Sequence, residues 1–142
     1  MFRPEIVITH WVHPEVIAAL SDTATVWAPT AAEGVWPREE VIARAHNADA
    51  LITCMADLVD EELLDACPRL RVVSATLKGY DNIDVAACTG RGVWVTILPD
   101  LLTATTAELA VGLALGLMRR IRPRTAARWF RRAGHARRGL RR

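Results

Sequence analysis

At 142 residues the chain has the length of one domain, enough to bury about 70% of the surface its unfolded form exposes without disulfide or metal staples. Apolar residues make up 51% and charged residues 24%, a balance that excludes a disordered chain and points to a soluble globular one. The net charge of +2 conceals an asymmetry: residues 1–118 carry seven basic and all 16 acidic residues, a balance of −9, whereas residues 119–142 carry 11 arginines and no acid. Such a split marks two unlike pieces.

In chain order, Glu5 to Thr9 reads as a strand, and Pro14 suits the first turn of a helix whose Val16, Ile17 and Leu20 form one apolar face. Thr25 to Ala28 is a weak second strand. Pro37-Arg38-Glu39-Glu40 opens a second helix, with acids where the helix dipole favours them. Asp49 to Cys54 is a buried type of strand, Asp60 to Cys67 a third helix stopped by Pro68, and Arg71 to Thr76 the next strand. Val85 to Arg91 then makes a short helix closed by Gly92, before a fifth strand over Val93 to Thr96. Short β-branched runs alternating with helical patterns predict an α/β fold, an open parallel sheet of about five strands with flanking helices, over residues 1–104.

Thr105-x-x-Glu108 matches a capping box and predicts a linking helix over residues 105–121. Its stretch Leu109 to Met118 is apolar all round, with Gly112 and Gly116 one turn apart, so it calls for a partner surface. Self-association through Leu109–Met118 is one way to meet that need. Residues 122–142 are expected to be a disordered basic tail. Eleven arginines with Trp129 and Phe130 among them suit phosphate backbones and base stacking, but a basic extension with no selected partner is the simpler expectation, and nucleic acid is not the expected partner.

Cys54, Cys67 and Cys88 form no C-x-x-C pair, so neither a disulfide framework nor a metal site is expected, in keeping with a reducing cytoplasm. The opening Met1-Phe2-Arg3-Pro4-Glu5 carries no apolar signal region, and Leu109 to Met118 is far short of the roughly 20 residues that span a bilayer. The expectation is a cytoplasmic chain without a membrane span.

An open parallel sheet binds ligands beyond the carboxyl ends of its strands, which directs attention to Met55 and to Leu77-Lys78-Gly79-Tyr80-Asp81-Asn82. Lys78 is the single lysine among 18 Lys and Arg residues. An ammonium beside the backbone N–H groups around Gly79 makes an anion site for a carboxylate or a phosphorus oxyanion; the alternative is a solvated lysine next to a turn glycine. Met55 either lines the same cleft or fills a gap in the core. His10, His13 and His46 are expected at element ends, none beside an acid that would make it a general base.

The segments Cys67-Pro-Arg-Leu-Arg-Val-Val, Leu77-Lys-Gly-Tyr-Asp-Asn-Ile-Asp-Val and Arg91-Gly-Val-Trp-Val-Thr together resemble the substrate domain of the D-2-hydroxyacid dehydrogenase family, a flavodoxin-like domain, over Ile6 to about Met118. The lysine before the glycine, with Pro99-Asp100-Leu101-Leu102-Thr103 further on, resembles more narrowly its phosphite-oxidising (phosphonate dehydrogenase) branch. The resemblance implies that Lys78 and Gly79 hold the substrate oxyanion, Lys78 serving as the catalytic lysine, that Met55 lines the cleft, and that Thr106 lies near the nicotinamide of NAD. The sequence departs from the family at two of these places: Ala56 stands where the family context Met-Pro-Asp has proline, and Thr105 also replaces a proline. No G-x-G-x-x-G fingerprint occurs. The inserted Rossmann domain that carries the fingerprint and the catalytic arginine, glutamate and histidine is therefore expected to be absent, NAD is expected not to bind, and the chain alone is expected not to turn over. After Phe130-Arg-Arg-Ala-Gly134 the family likeness fades, which suggests a premature end or shifted reading frame.

Overall fold

The structure, a computed structural model, describes residues 3–119. Within them the chain runs β1 (Glu5–Ile8), α1 (Pro14–Ser21), β2 (Thr25–Trp27), α2 (Arg38–Ala45), β3 (Ala50–Thr53), α3 (Glu61–Ala66), β4 (Val72–Ala75), α4 (Val85–Gly90), β5 (Trp94–Thr96) and α5 (Thr103–Met118). The five strands pair in parallel in the order β2-β1-β3-β4-β5. This is the open α/β sheet that the alternation of β-branched runs and helical patterns predicts. The chain divides into two units, Met1–Pro99 and Asp100–Arg142. The basic tail over residues 122–142 and the last residues of the expected linking helix lie outside the described residues.

Strand register explains where the core sits. Val7, Leu51, Val73 and Val95 stand opposite one another across four strands. The first three are fully buried, among Val41 and Ala45 of α2, Leu63 and Leu64 of α3, and Ala87 and Cys88 of α4. Side chains alternate along a strand, so the neighbouring row, Ile8, Ile52, Ser74 and Thr96, faces the other way. It goes from buried at Ile8 to exposed at Thr96. α1 packs beside β2, at the Ile8 end of that row, and contributes no buried side chain to the core.

Helix ends follow local chemistry. The Asp60 carboxylate accepts from the Leu63 N–H (3.1 Å) and that of Asp84 from the Ala87 N–H (2.8 Å), so α3 and α4 have side-chain N-caps. α4 closes where Gly92 takes φ +72°: its N–H reaches the Thr89 carbonyl (3.0 Å) and the Val93 N–H reaches Cys88 (2.9 Å), the paired bonds of a Schellman ending. The capping box expected at Thr105 does not form. α5 begins at Thr103 with Leu102 at its N-cap, and Thr105, already inside the first turn, donates its hydroxyl back to the Leu102 carbonyl (3.2 Å). Leu101 and Leu102 sit in a turn that lets the helix start two residues early.

Candidate functional site

The chain reverses direction across the sheet between β1 and β3, so the loops leaving these two strands part toward opposite sides. The β1 exit, Thr9–His13, is held by the connection from β2 to α2, which returns alongside it. Gly34 at φ +68° lets this connection turn, the Trp11 N–H donates to the Gly34 carbonyl (2.6 Å), and His10 pairs with Val35 across an antiparallel bridge. The β3 exit is a tight turn, closed by the Asp57 N–H on the Cys54 carbonyl (3.2 Å), with Met55 and Ala56 at its tip. The turn closes with Ala56 in it.

One carboxylate oxygen ties the two exits together. Asp57 Oδ2 accepts from the Thr9 hydroxyl (2.6 Å) and from the Cys54 N–H (2.6 Å), and it lies 3.6 Å from His10 Nδ1. His10 Nδ1 is also 2.8 Å from the Thr9 oxygen. The short Thr9 to Asp57 bond uses the hydroxyl proton, which leaves the Thr9 oxygen to accept from His10 Nδ1–H. His10 therefore does stand beside an acid, contrary to the expectation from sequence: the two are 47 positions apart and only the pairing of β1 with β3 brings them together. His13 is exposed, its ring 4.9 Å from that of Trp11, and exposed His46 sets Nδ1 2.7 Å from the Ala66 carbonyl, so these two match the expected surface positions.

Adjacent to the β3 exit, the last rung between β3 and β4 is the Thr76 N–H on the Thr53 carbonyl (2.9 Å), reinforced by the Thr76 hydroxyl on the same oxygen (3.0 Å). The chain then leaves β4 as Leu77–Asn82, with Lys78, Gly79, Tyr80 and Asp81 exposed. Met55 and Lys78 thus follow neighbouring strands, two residues beyond Thr53 and three beyond Ala75. Met55 is 78% exposed, so it does not fill a core gap. Gly79 does not take a left-handed backbone, and a Cβ there would meet only Asp81 Oδ2, at 3.7 Å. Among the described residues none accepts from the Gly79 N–H. Thr106 lies in the first turn of α5, in the other unit, with its N–H on the Leu102 carbonyl (3.0 Å).

Sequence reasoning singled out the two loops but missed the side chains that hold them, Asp57 and Asn82. Asn82 Nδ2 donates to the carbonyls of Cys54 (3.2 Å) and Asp57 (2.7 Å), and its own carbonyl accepts from the Val59 N–H (2.9 Å). The available signal was compositional: an Asp three residues after a strand and an Asn in a glycine-containing loop are both turn formers that bond to nearby backbone.

A dinucleotide needs a glycine-rich turn where a strand passes into a helix. The β1 to α1 turn reads Thr9-His-Trp-Val-His13 and the β3 exit Cys54-Met-Ala-Asp57, neither with a glycine, and Gly90-x-Gly92 closes a helix instead of opening one. Gly34 and Gly79 each stand alone in the β2 to α2 and β4 to α4 turns, so no strand-to-helix turn among the described residues carries the grouped glycines of a dinucleotide site. No three His, Cys, Asp or Glu side chains among the described residues converge as metal ligands, and no described helix is long and apolar enough to cross a membrane. Burial pushes the thiols of Cys67 and Cys88 above their ordinary range, Asp84 adding to the effect at Cys88, which leaves both as core residues.

Residues 6–137 match the family described as D-isomer specific 2-hydroxyacid dehydrogenase, catalytic domain. Among similar proteins, the glyoxylate reductase of Thermococcus kodakarensis is 40% identical over 121 residues, 84% of this chain and 35% of that protein, and the glyoxylate reductase of Aeropyrum pernix is 39% identical over 127 residues, 85% and 36% respectively. The chain thus spans about a third of the length of the relatives it matches. Among solved structures, a 2-hydroxyacid dehydrogenase from Ketogulonicigenium vulgare superposes with TM-score 0.69 at 31% identity, covering 95% of this chain and 41% of that one. An NADPH-dependent glyoxylate/hydroxypyruvate reductase from Sinorhizobium meliloti, in complex with NADP and malonate, superposes with TM-score 0.67 at 27% identity, covering 92% and 39%. With the match running over most of its length and the parallel sheet shared, the chain belongs to the D-isomer specific 2-hydroxyacid dehydrogenase family and carries sequence of its catalytic domain.

Proposed function

We propose that this chain is the substrate-binding part of a nicotinamide-dependent dehydrogenase, in which Lys78 and the Gly79 N–H hold a small oxyanion and Met55 borders it. The observation that carries this reading is the emergence of Leu77–Asn82 and of the Met55 turn side by side at the carboxyl ends of β4 and β3, where parallel sheets bind ligands. An ammonium supplies the counter-charge and a backbone N–H a direction, and the glycine lets an anion approach the main chain closely. The bound group is the carboxylate of a 2-oxo or 2-hydroxy acid, as the names of the similar glyoxylate reductases suggest, or phosphite, as the order Lys78-Gly79 and the Pro99-Asp100-Leu101-Leu102-Thr103 segment suggest. In this reading residues 1–104 form the substrate domain, residues 105–121 link it onward with Thr106 beside the cofactor, the hydride chemistry belongs to NAD held by residues other than these, and the chain works in the cytoplasm but does not turn over by itself.

Titration of the 142-residue chain with glyoxylate and, separately, phosphite tests the site. One ammonium and one N–H open to water make a weak, salt-screened pocket, so binding is expected in the millimolar range or weaker, corresponding to about 4 kcal/mol. Amide shifts should cluster at Leu77–Asn82 and around Met55 and vanish in Lys78→Ala. The arginines of residues 119–142 are common to both proteins and cancel in the comparison. Unchanged shifts in the variant would reject Lys78 as a ligand, and the anion that gives the larger saturable shift identifies the substrate class.

A further inference from the structure

The Met55 turn has little packing to define it, because Met55 is 78% exposed and Ala56 is exposed beside it. Hydrogen bonds must fix its place. Asn82 supplies two of them: its side-chain NH2 donates to the carbonyls of Cys54 and Asp57, at 3.2 and 2.7 Å, the two residues that bracket Met55 and Ala56. Both partners are acceptors, so the amide can present only its nitrogen, and both of its protons are used. The Asn82 carbonyl meanwhile accepts from the Val59 N–H, so main chain and side chain together grip residues 54–59. From the opposite side Asp57 Oδ2 holds the same turn to Thr9. Asn82 also ends the loop that begins at Leu77 and carries Lys78 and Gly79.

We propose that Asn82 is a positioning residue that clamps the Met55 turn against the Lys78–Gly79 loop and thereby sets the width of the oxyanion cleft. Asp57 anchors the turn to β1, and Asn82 couples it to β4. Loss of the clamp frees Met55 without removing the anion-binding groups, so it acts on selectivity among oxyanions more than on their attraction. The statement about cleft width rests on the oxyanion reading above; the clamp itself does not.

The first experiment therefore uses no ligand. In the 142-residue chain, both Asn82 side-chain protons should exchange slowly with solvent. Asn82→Ala should speed amide exchange at Asp57 at least tenfold while leaving Leu51 and Val73, in the centres of β3 and β4, unchanged. In Asn82→Asp a carboxylate faces the two carbonyls at neutral pH and releases the turn. Below the ordinary carboxyl pKa of about 4 the protonated group donates one hydrogen bond and slows Asp57 exchange again, relative to Asn82→Ala at the same pH. A purely structural loss would not recover in this way. Equal Asp57 exchange in the three proteins overturns the proposal. Should both variants lose protection throughout the sheet, rapid exchange of the Asn82 side-chain protons in the unaltered protein overturns it and slow exchange supports it. Titration with glyoxylate and phosphite is then the second arm: in Asn82→Ala the Lys78 and Gly79 amides should still shift, while the Met55 methyl should lose its response. A Met55 methyl that still responds as in the unaltered chain rejects the coupling, whereas no response in the unaltered chain rejects the oxyanion reading and leaves the exchange result standing.

Discussion

Gly79 is placed by neither of the usual demands on a glycine. Its backbone is not left-handed and a Cβ would find only an ordinary contact, 3.7 Å from Asp81 Oδ2. What an added methyl would obstruct is the space beside its N–H. Gly79→Ala is therefore expected to fold with stability within about 0.5 kcal/mol of the original, as for surface changes away from special features, yet to weaken or abolish the phosphite and glyoxylate shifts. Unfolding by denaturant and the titration check the two halves separately, and a variant that binds unchanged removes the functional reason for this glycine. The loop that carries Lys78 and Gly79 was legible in the sequence as the exit of a strand. The ligand role proposed for the pair came from the family resemblance, since the residue pattern alone also suits a solvated lysine beside a turn glycine. Asp57 and His10 were not legible, because what joins them is the register of β1 with β3, and register depends on pairings remote in sequence.

Elements were the most legible scale, since each strand and each of the first four helices answers to a periodicity and to local stop signals. Asp60 and Gly92 show the chemistry. Burial opposes ionisation at Asp60, but hydrogen bonds from Arg38 and from the Leu63 N–H outweigh it, and the carboxyl titrates below its ordinary range. A folded pKa below the unfolded one means that the stabilisation is present in full above the unfolded value and is lost as pH falls through the folded one. Asp60→Ala should cost about 1 kcal/mol near neutral pH, the usual worth of an N-cap, and the gap between variant and original should close in strong acid. Denaturant midpoints at neutral pH and at pH 2 measure this, and a gap independent of pH would mean that ionisation of Asp60 adds nothing. Gly92→Ala should cost about 1–2 kcal/mol, because φ +72° is left-handed territory for a side chain; a cost near zero would mean that the turn rearranges. The error at Thr105 has the same local character. A capping box specifies a first turn, but the turn at Leu101–Leu102 started α5 earlier, and Thr105 then bonded back to a carbonyl, as hydroxyls inside helices do.

At the scale of the whole molecule the apolar surface outruns what each unit covers. Purely parallel sheets are normally covered on both faces, yet here the row through Val7, Leu51 and Val73 is fully buried while its opposite ends in exposed Thr96, next to a Trp94 that is 75% exposed. In the second unit α5 has no buried side chain, and Leu109, Val111, Leu113, Leu115 and Leu117 are all more than half exposed. Monomeric proteins rarely show contiguous apolar patches beyond a few hundred Å². The βα turns without a glycine cradle predict that the chain forms no NADH from NAD with phosphite or glycolate, and absorbance above background at the NADH band would refute that. The apolar surplus predicts association. Because α5 is apolar all round from Leu109 to Met118, no single face is favoured and a graded series of oligomers is expected, growing with protein concentration and with added sulfate, which strengthens apolar burial. Replacing Leu113 and Leu117 with lysine should reduce the mean size in light scattering at the same concentration, while amide exchange at Leu51 and Val73 stays slow, since α5 belongs to a separate unit from the sheet. A monodisperse monomer across that concentration range would mean that these side chains are satisfied within one chain. Oligomers indifferent to the two lysines would move the contact to the open face of the sheet around Trp94.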